Sequence, residues 1–449
     1  MMPELRVPVV KPSTYRFLHS AFQIALNSSK SETPNPISPR VSPALVTDEF
    51  LPATQTELSR WMADNASSAA RPVYPAGGRT AIHYGRPVRE PGIALCTTSL
   101  AKVIDYPARD MTITVEAGMR VDELARLLAA ERQRLPIDVP QAHRATLGGA
   151  AAANASGSRR FGLGTIRDYL IGVTAVDASG RMFKAGGRVV KNVAGYDLCK
   201  MLVGSLGTLA VMTQLTLKLR PLPETSVLLW ATFDRLGTTD EVLDRLSRSS
   251  ARPVSLDVLE PRAAAAVAAE AVLELPSHRP VLCVGVEGTS RETVWQLETL
   301  RGEIAPSGPH EIVPIAGTDA TQLWFALAEF QVPSDDPLTF KANLLPSRTV
   351  EFVHEAERMG CAVQAHAGSG IVVGHLSDSV TSANAARAAL AVLRGLARKS
   401  TGNLVVVHCD DGWKGDLELF GDPEPAWPLM RKLKRQLDPQ NLLNPHQAL

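Results

Sequence analysis

An excess of charge of either sign is missing from this 449-residue chain: 47 Lys and Arg stand against 46 Asp and Glu. No basic stripe is available for nucleic acid. Cysteine is sparse, at five, and the five are scattered without a C-x-x-C. That argues against a disulfide framework and against a cysteine-held iron–sulfur cluster within the chain. No apolar run reaches the ~18 residues of a membrane span. A basic start followed by a long apolar core is absent, so no secretory leader is expected and a reducing, cytoplasmic place is predicted. Two phosphate-binding patterns are also missing. Without G-x-x-x-x-G-K-[ST] there is no P-loop, and without G-x-G-x-x-G a standard Rossmann site is unsupported.

What the chain has is small residues in loops. Apolar residues make up 45% and Gly 32 positions, and the length predicts two or three globular domains. Gly, Ala and Ser crowd Thr146–Thr165 and Gly204–Thr208. Between these loops the pattern predicts a hairpin, Val173–Val176 with Met182–Ala185, turning at Asp177-Ala178-Ser179-Gly180. Upstream, a strand at Pro72–Tyr74 enters the turn Pro75-Ala76-Gly77-Gly78-Arg79-Thr80. Successive amides in such a turn form a concave nest for a pyrophosphate, and Gly77 and Gly78 allow positive φ and leave no Cβ in a ligand's way. Taken singly, each loop fits equally a plain Gly-rich connection of an α/β domain.

Along the chain, residues 1–44 are rich in Pro and Ser and read as a flexible extension, with a short helix possible at Tyr15–Leu26. Residues 54–70 predict a helix with Leu58, Trp61 and Met62 on one face. Strand Thr112–Val115, helix Val121–Gln133 and strand Leu209–Leu219 follow. Pro221 and Pro223 mark a boundary. Beyond it strands alternate with helices, which predicts a ferredoxin-like α+β domain with its helices covering one sheet face. The strands are Val227–Phe233, Val254–Leu259, Val281–Val286, Thr339–Leu344, Ala362–His366, Ile371–His375 and Leu404–His408. The chain ends in a helix, Ala426–Leu437, and an extended tail, Asp438–His446.

In order, the motifs P-x-G-G-x-T (Pro75–Thr80), T-x-G-G (Thr146–Gly149), N-x-x-G (Asn154–Gly157), G-Y-D-L (Gly195–Leu198), G-S-x-G-T-L (Gly204–Leu209) and D-P-x-x-L-L-N-P (Asp438–Pro445) resemble the vanillyl-alcohol-oxidase, or PCMH-type, flavoproteins. The resemblance runs from about Leu45 to the C-terminus. Gly157-x-Arg159-Arg160, Ile166-Arg167-Asp168 and Lys191–Asp197 look more narrowly like the FAD-binding accessory subunit of bacterial glycolate oxidase. The fold it implies is α+β. A two-subdomain PCMH-type FAD-binding domain (45–222) precedes a ferredoxin-like cap domain (223–449), whose terminal tail returns to the FAD side.

The implied cofactor is noncovalent FAD. Amides of Ala76, Gly77, Gly78, Arg79 and Thr80 would bind its pyrophosphate. Thr146, Gly148, Gly149, Asn154, Ser156 and Gly157 would face the pyrophosphate and ring, and Gly204 and Ser205 the adenine side. Arg167, Asp168, Gly195, Tyr196, Asp197 and Val211 complete the implied set. Asp168 would orient Arg167 or cap a local turn. The implied partners are a catalytic FAD subunit and an iron–sulfur subunit, acting on a small 2-hydroxy acid.

The sequence departs from the family in three places. Arg79 stands where some relatives carry the histidine that attaches to flavin, so no covalent link is expected; Arg79 would add charge near the pyrophosphate or point to solvent. The related catalytic subunit has H-x-G-D-G-N-x-H; here His366-Ala-Gly-Ser-Gly-Ile-Val-Val373 keeps one imidazole, so no metal is expected. Leu323-Trp324 is not followed by the arginine that clamps a carboxylate in relatives. Arg348, Lys341 and His354 are possible substitutes, placed by the pattern on solvated helix faces. The weak candidates for a catalytic base are His143 and His366. Three functions remain open: a subunit of a glycolate-oxidase-type complex, a stand-alone 2-hydroxy acid dehydrogenase or oxidase, and a flavin-free interaction module.

Overall fold

The computed structural model describes residues 46–187, 197–333 and 336–446. The predicted extension and its helix lie outside these residues, as does Lys191–Tyr196 with Gly195 and Tyr196.

Strands Val46–Phe50, Gly92–Cys96 and Val73–Ala76 form a parallel sheet with Gly92–Cys96 central. The central strand is buried at every position, as a parallel strand covered on both faces must be. Helix Gln55–Ser67 starts where Thr54 Oγ1 accepts from Glu57 N at 3.1 Å, and Glu57 reaches back to Ala53 N. Its Leu58 and Met62 pack with Val73, Leu95, Val176 and Val211. Trp61 is only half-buried and stacks on Phe50, ring centroids 4.5 Å apart.

An antiparallel sheet follows, in the order Val103–Asp105, Thr112–Glu116, Val211–Lys218, Leu170–Val176, Met182–Gly186. The predicted hairpin is present, with Val176 opposite Met182 and Ala175 opposite Phe183. Asp177 holds the turn by accepting from Ser179 N and Arg181 N, each at 3.0 Å. The predicted helix from Val121 stops at Ala130. Gln133–Arg134 is instead a short strand paired with Arg220–Pro221.

The C-terminal half carries one eight-stranded antiparallel sheet. Its order is Glu311–Ala316, Thr225–Thr232, Val281–Gly288, Ser255–Leu259, Ala362–His366, Ile371–His375, Leu338–Asn343, Asn403–Cys409. Numbered within each half, this reads 4-1-3-2 followed by 2-3-1-4. Two ferredoxin-like units therefore lie side by side, joined where Asp257 pairs with His366. The sequence reading found one such fold and missed Glu311–Ala316. That strand is a half-exposed edge whose apolar run is interrupted by Pro314.

Helices cover both faces of this sheet, not the single face expected. Helices Gly237–Ser247, Ser290–Ile304, Thr349–Arg358 and Ala383–Lys399 pack on one face. Pro261–Glu270 and Gly317–Glu329 pack on the other, against Leu228, Trp230 and Cys283. Strand Thr225–Thr232 is buried on both sides along most of its length, and an apolar strand of that kind needs both faces covered.

Two devices tie the halves together. The tail runs back beside the first half: Val73 N donates to Leu442 O (2.8 Å) and Asn444 N to Val73 O (2.9 Å). Asp438 accepts from Leu442 N and Leu443 N, and Lys434 Nζ donates to Thr208 O and Leu443 O. The second device is a buried ion network. Arg159 donates to Asp138 (2.6 Å) and to Glu287 (2.9 Å), and Arg134 also donates to Glu287 (2.6 Å). Burial opposes the charge on Glu287, but Arg159 and Arg134 outweigh it and hold its carboxyl below the ordinary value. The Arg159 guanidinium also lies over the Trp324 ring, 4.9 Å from its centroid.

Arg159→Met should leave two buried carboxylates short of their partner and cost about 3–5 kcal/mol. Denaturant titration of the two proteins measures the difference. A lowered Glu287 pKa makes its contribution full at neutral pH and lost as pH falls through the folded-state value. The gap between variant and wild type should therefore narrow in acid.

Candidate functional site

Strand Val73–Ala76 ends in the Gly77–Thr80 turn, which lies directly on the segment before helix Leu147–Ala153. A Cβ on Gly77 would strike Thr146 Oγ1, and one on Gly78 would strike Arg144 O. These glycines are thus small because the chain packs against itself, rather than to clear a ligand. Neither has positive φ; the left-handed residue of the turn is Arg79, at φ 59°. Ala76 O accepts from Thr97 N. Among the described residues the amides of Gly77, Gly78, Arg79 and Thr80 have no acceptor. Arg79 neither points to solvent nor into the turn: it pairs with Glu49 at 2.8 Å and lies against Cys96 Sγ.

The other small-residue segments converge here. Gly204 N donates to Ala151 O and Leu206 N to Ala152 O. Gly204 has φ 79°, and a Cβ there would sit 3.6 Å from Asn154 Cβ. Asn444 Nδ2 donates to Leu206 O at 2.7 Å, which brings the tail to the same place. Asn154 ends its helix at φ 50°, and its Oδ1 is buried without a partner, as are Ser158 Oγ and Ser205 Oγ. Native interiors seldom leave such atoms unpaired without a ligand or water to meet them. Gly149 differs from its neighbours: an added Cβ meets only Thr146 Oγ1, at 3.1 Å, so the space beyond is open. Gly148 is instead closed in by Ala117, and Gly157 by Asp138 Cβ at 2.7 Å.

Several sequence candidates lie elsewhere or play other parts. Val211 is core, beside Leu58 and Met62. Asp168 does not orient Arg167; it caps its own turn, accepting from Thr165 N (2.8 Å) and Thr165 Oγ1 (3.1 Å). Arg167 is exposed, and its carbonyl accepts from Lys200. Asp197 caps helix Leu198–Leu202. His143 sits exposed in a turn, where partial burial and then Arg144 lower its pKa. Arg348 is exposed and pairs with Glu351, and His354 is exposed.

Lys341 corrects the sequence reading most. It lies inside the predicted strand, here Leu338–Asn343, opposite Val373 and Val405, and so not on the solvated helix face assigned to it. It has no hydrogen bond or ion pair among the described residues. Burial, then the charge of Arg160, pushes its pKa down to about 8. Arg160 is half-buried, and among the described residues its side chain donates to Ser156 Oγ alone, at 2.9 Å. Ser156 is held in turn by Gln331, whose Nε2 donates to its carbonyl. Two cations with no carboxylate bonded to either make a place for an anion.

On the same sheet face His366 is buried, its Nδ1 2.5 Å from Asp257 Oδ1. Asp257 was not singled out in the sequence, because only strand register brings it opposite His366. The turn after His366 touches the small-residue loop: a Cβ on Gly368 would lie 2.5 Å from the Phe161 ring. His375 stands at the far end of that hairpin, bonded to Thr339 and Phe330 O. No group of three metal-ligating side chains occurs among the described residues.

Unpaired amides, open space at Gly149 and orphaned polar atoms in one region suit a phosphorylated, ring-bearing ligand. Residues 49–186 match the family described as FAD binding domain, and residues 420–448 match the C-terminal domain of FAD linked oxidases. The chain thus carries an FAD-binding domain like that of the FAD-linked oxidoreductases, and its cofactor is FAD. Within them it is similar to glycolate oxidase subunit GlcD of Bacillus subtilis, at 28% identity over 62% of this chain and 58% of the relative. It is 33% identical to glycolate oxidase subunit GlcE of Escherichia coli over 36% of this chain and 47% of the relative. The chain thus spans about half the length of these curated relatives. A solved alkyldihydroxyacetonephosphate synthase shares the fold, with TM-score 0.61 and 17% identity over 88% of this chain and 75% of that one.

Gly149→Val should empty the protein of flavin by placing a β-branched side chain in the open space, at about 1–3 kcal/mol of strain against the ligand. Visible absorbance of the purified protein measures it. Gly78→Ala should lower thermal stability even without flavin, because its Cβ meets backbone.

Proposed function

We propose that this chain is the FAD-bearing subunit of a glycolate-oxidase-type 2-hydroxy acid dehydrogenase, and that electrons leave it for an iron–sulfur partner. In this reading residues 45–222 form the flavin domain and 223–449 the cap. The Gly77–Thr80 amides take the pyrophosphate. Gly149, Asn154, Ser156 and Ser205 lie along the flavin, which is held without a covalent bond. Bound FAD supplies a two-electron acceptor; the protein supplies orientation and charge.

The observation that carries the substrate class is the pair Arg160 and Lys341, two half-buried cations facing one region with no carboxylate bonded to either. A carboxylate between them satisfies both, and its hydroxyl-bearing carbon then lies near the small-residue loop. The similarity to two glycolate oxidase subunits supports the same class. All five cysteines are buried and unpaired, so electrons that go on to a cluster must go to another chain. Reduced thiols fit a cytoplasmic place. No helix among the described residues is long and apolar enough to cross a membrane.

A second reading, a stand-alone dehydrogenase, is favoured by the presence in this one chain of both the cationic pair and His366. Copurification separates the two readings. A cysteine-rich partner and a second flavin subunit are expected; full turnover by the isolated chain with an artificial acceptor would favour the second.

Lys341→Met should raise KM for glycolate or D-lactate by an amount equivalent to about 1.5–3 kcal/mol, the worth of a charge-assisted hydrogen bond. Because the carboxylate needs the charged amine, wild-type KM should be flat below about pH 8 and climb above it. Anaerobic flavin reduction over a range of acid concentrations and pH measures both.

A further inference from the structure

His366 and Asp257 form a buried pair that the FAD cradle and the cationic pair do not use. His366 is 3% exposed and Asp257 0%. Strand register sets them opposite each other where the two ferredoxin-like units meet. With Asp257 Oδ1 accepting at 2.5 Å, His366 donates from Nδ1, and in the neutral ring Nε2 then keeps its lone pair. Nε2 has no bond among the described residues. A carboxylate with one such bond is costly to bury, and Asp257 Oδ2 has no partner. Gln364 Nε2 and Ser255 Oγ, on the same sheet face, are also buried without partners. A strip of polar atoms this poorly satisfied is expensive in a core and fits the wall of a polar site. The strip faces the loop that carries Arg160 and Phe161, and Lys341 lies on it two strands away.

We propose that His366 is the proton acceptor of the reaction and that Asp257 is its positioning residue, in a metal-independent dyad. This rests on the 2-hydroxy acid reading above. The hydroxyl proton of the substrate passes to His366 Nε2. The hydrogen on C2 leaves with two electrons for the flavin, and a 2-oxo acid remains. Asp257 fixes the tautomer, aims the ring and balances the imidazolium that forms. It thereby supplies in one carboxylate what a bound cation would otherwise supply by polarising the hydroxyl. His375 stands at the far end of the Ala362–His375 hairpin, so a metal beside His366 would find one imidazole.

The test uses the full FAD-loaded chain with glycolate and D-lactate as probes. Asp257→Asn is expected to slow flavin reduction at saturating acid by roughly 10²–10⁴-fold with little change in half-saturation, the usual worth of a positioned base. Asp257→Glu should recover part of the rate, and His366→Gln should lose at least as much as Asp257→Asn. In protein labelled with nitrogen-15 at histidine, His366 should be protonated at Nδ1 in wild type and mixed between tautomers in Asp257→Asn. Wild-type rates in Asp257→Asn, a tautomer indifferent to Asp257, or loss of wild-type reduction on adding EDTA would each overturn the dyad. If neither acid reduces wild-type flavin, the proposed function falls and the tautomer spectra alone decide the pairing. Should Asp257→Asn fail to fold, His366→Gln and the wild-type spectrum carry the test; a mixed wild-type tautomer overturns the proposal.

Discussion

Arg159 is the constraint on which the arrangement rests. A guanidinium taken out of water must be met on every side, and this one is met by Asp138, Glu287 and the face of Trp324. Asp138 belongs to the loop before the small-residue segment, and Glu287 and Trp324 belong to the C-terminal half. Satisfying a single charge therefore fixes the distance between the loop and the sheet. Arg160, the next residue, is carried to the same sheet face near Lys341, and Phe161 to Gly368. A misplaced Arg159 would shift the anion place and the histidine together. The missing arginine after Leu323-Trp324 has a structural counterpart here: the tryptophan is covered by an arginine arriving from the other half of the chain.

The glycines divide into two kinds, and the division matters for reading such sequences. Gly77, Gly78, Gly148 and Gly157 are forced by backbone and side chains that press on them. Gly149 alone among this group looks onto open space. Small residues in a motif thus build the cradle by letting segments lie on one another, and only in part by making room for what it holds.

Local signals in the sequence were enough for the hairpin at Val173–Ala185, for most strands and helices of the C-terminal half, and for the order of the flavin motifs. They concern neighbours along the chain, where alternation and turn chemistry act directly. What escaped was set by distance in sequence. Asp257 and His366 become partners only through strand register, and Lys341 reads as a surface lysine until its strand is seen to be internal. Arg79 was placed near the pyrophosphate because its motif position said so, whereas Glu49, thirty residues earlier, takes it away. The doubling of the ferredoxin-like unit was hidden because its fourth strand, Glu311–Ala316, is an edge broken by Pro314, which spoils the strand pattern.

The tail that lies beside Val73 has a consequence for biosynthesis. Strand Val73–Ala76 emerges from the ribosome well before Leu442–Asn444, which follows the whole C-terminal sheet. Until then Val73 lacks its neighbour, Leu443 is missing from the core beside Leu95, and Leu206 lacks the amide of Asn444. The small-residue region proposed to hold the cofactor is therefore complete only once this tail has been made. Cofactor loading becomes a late event, and a chain broken off during synthesis has no completed site in which to trap it.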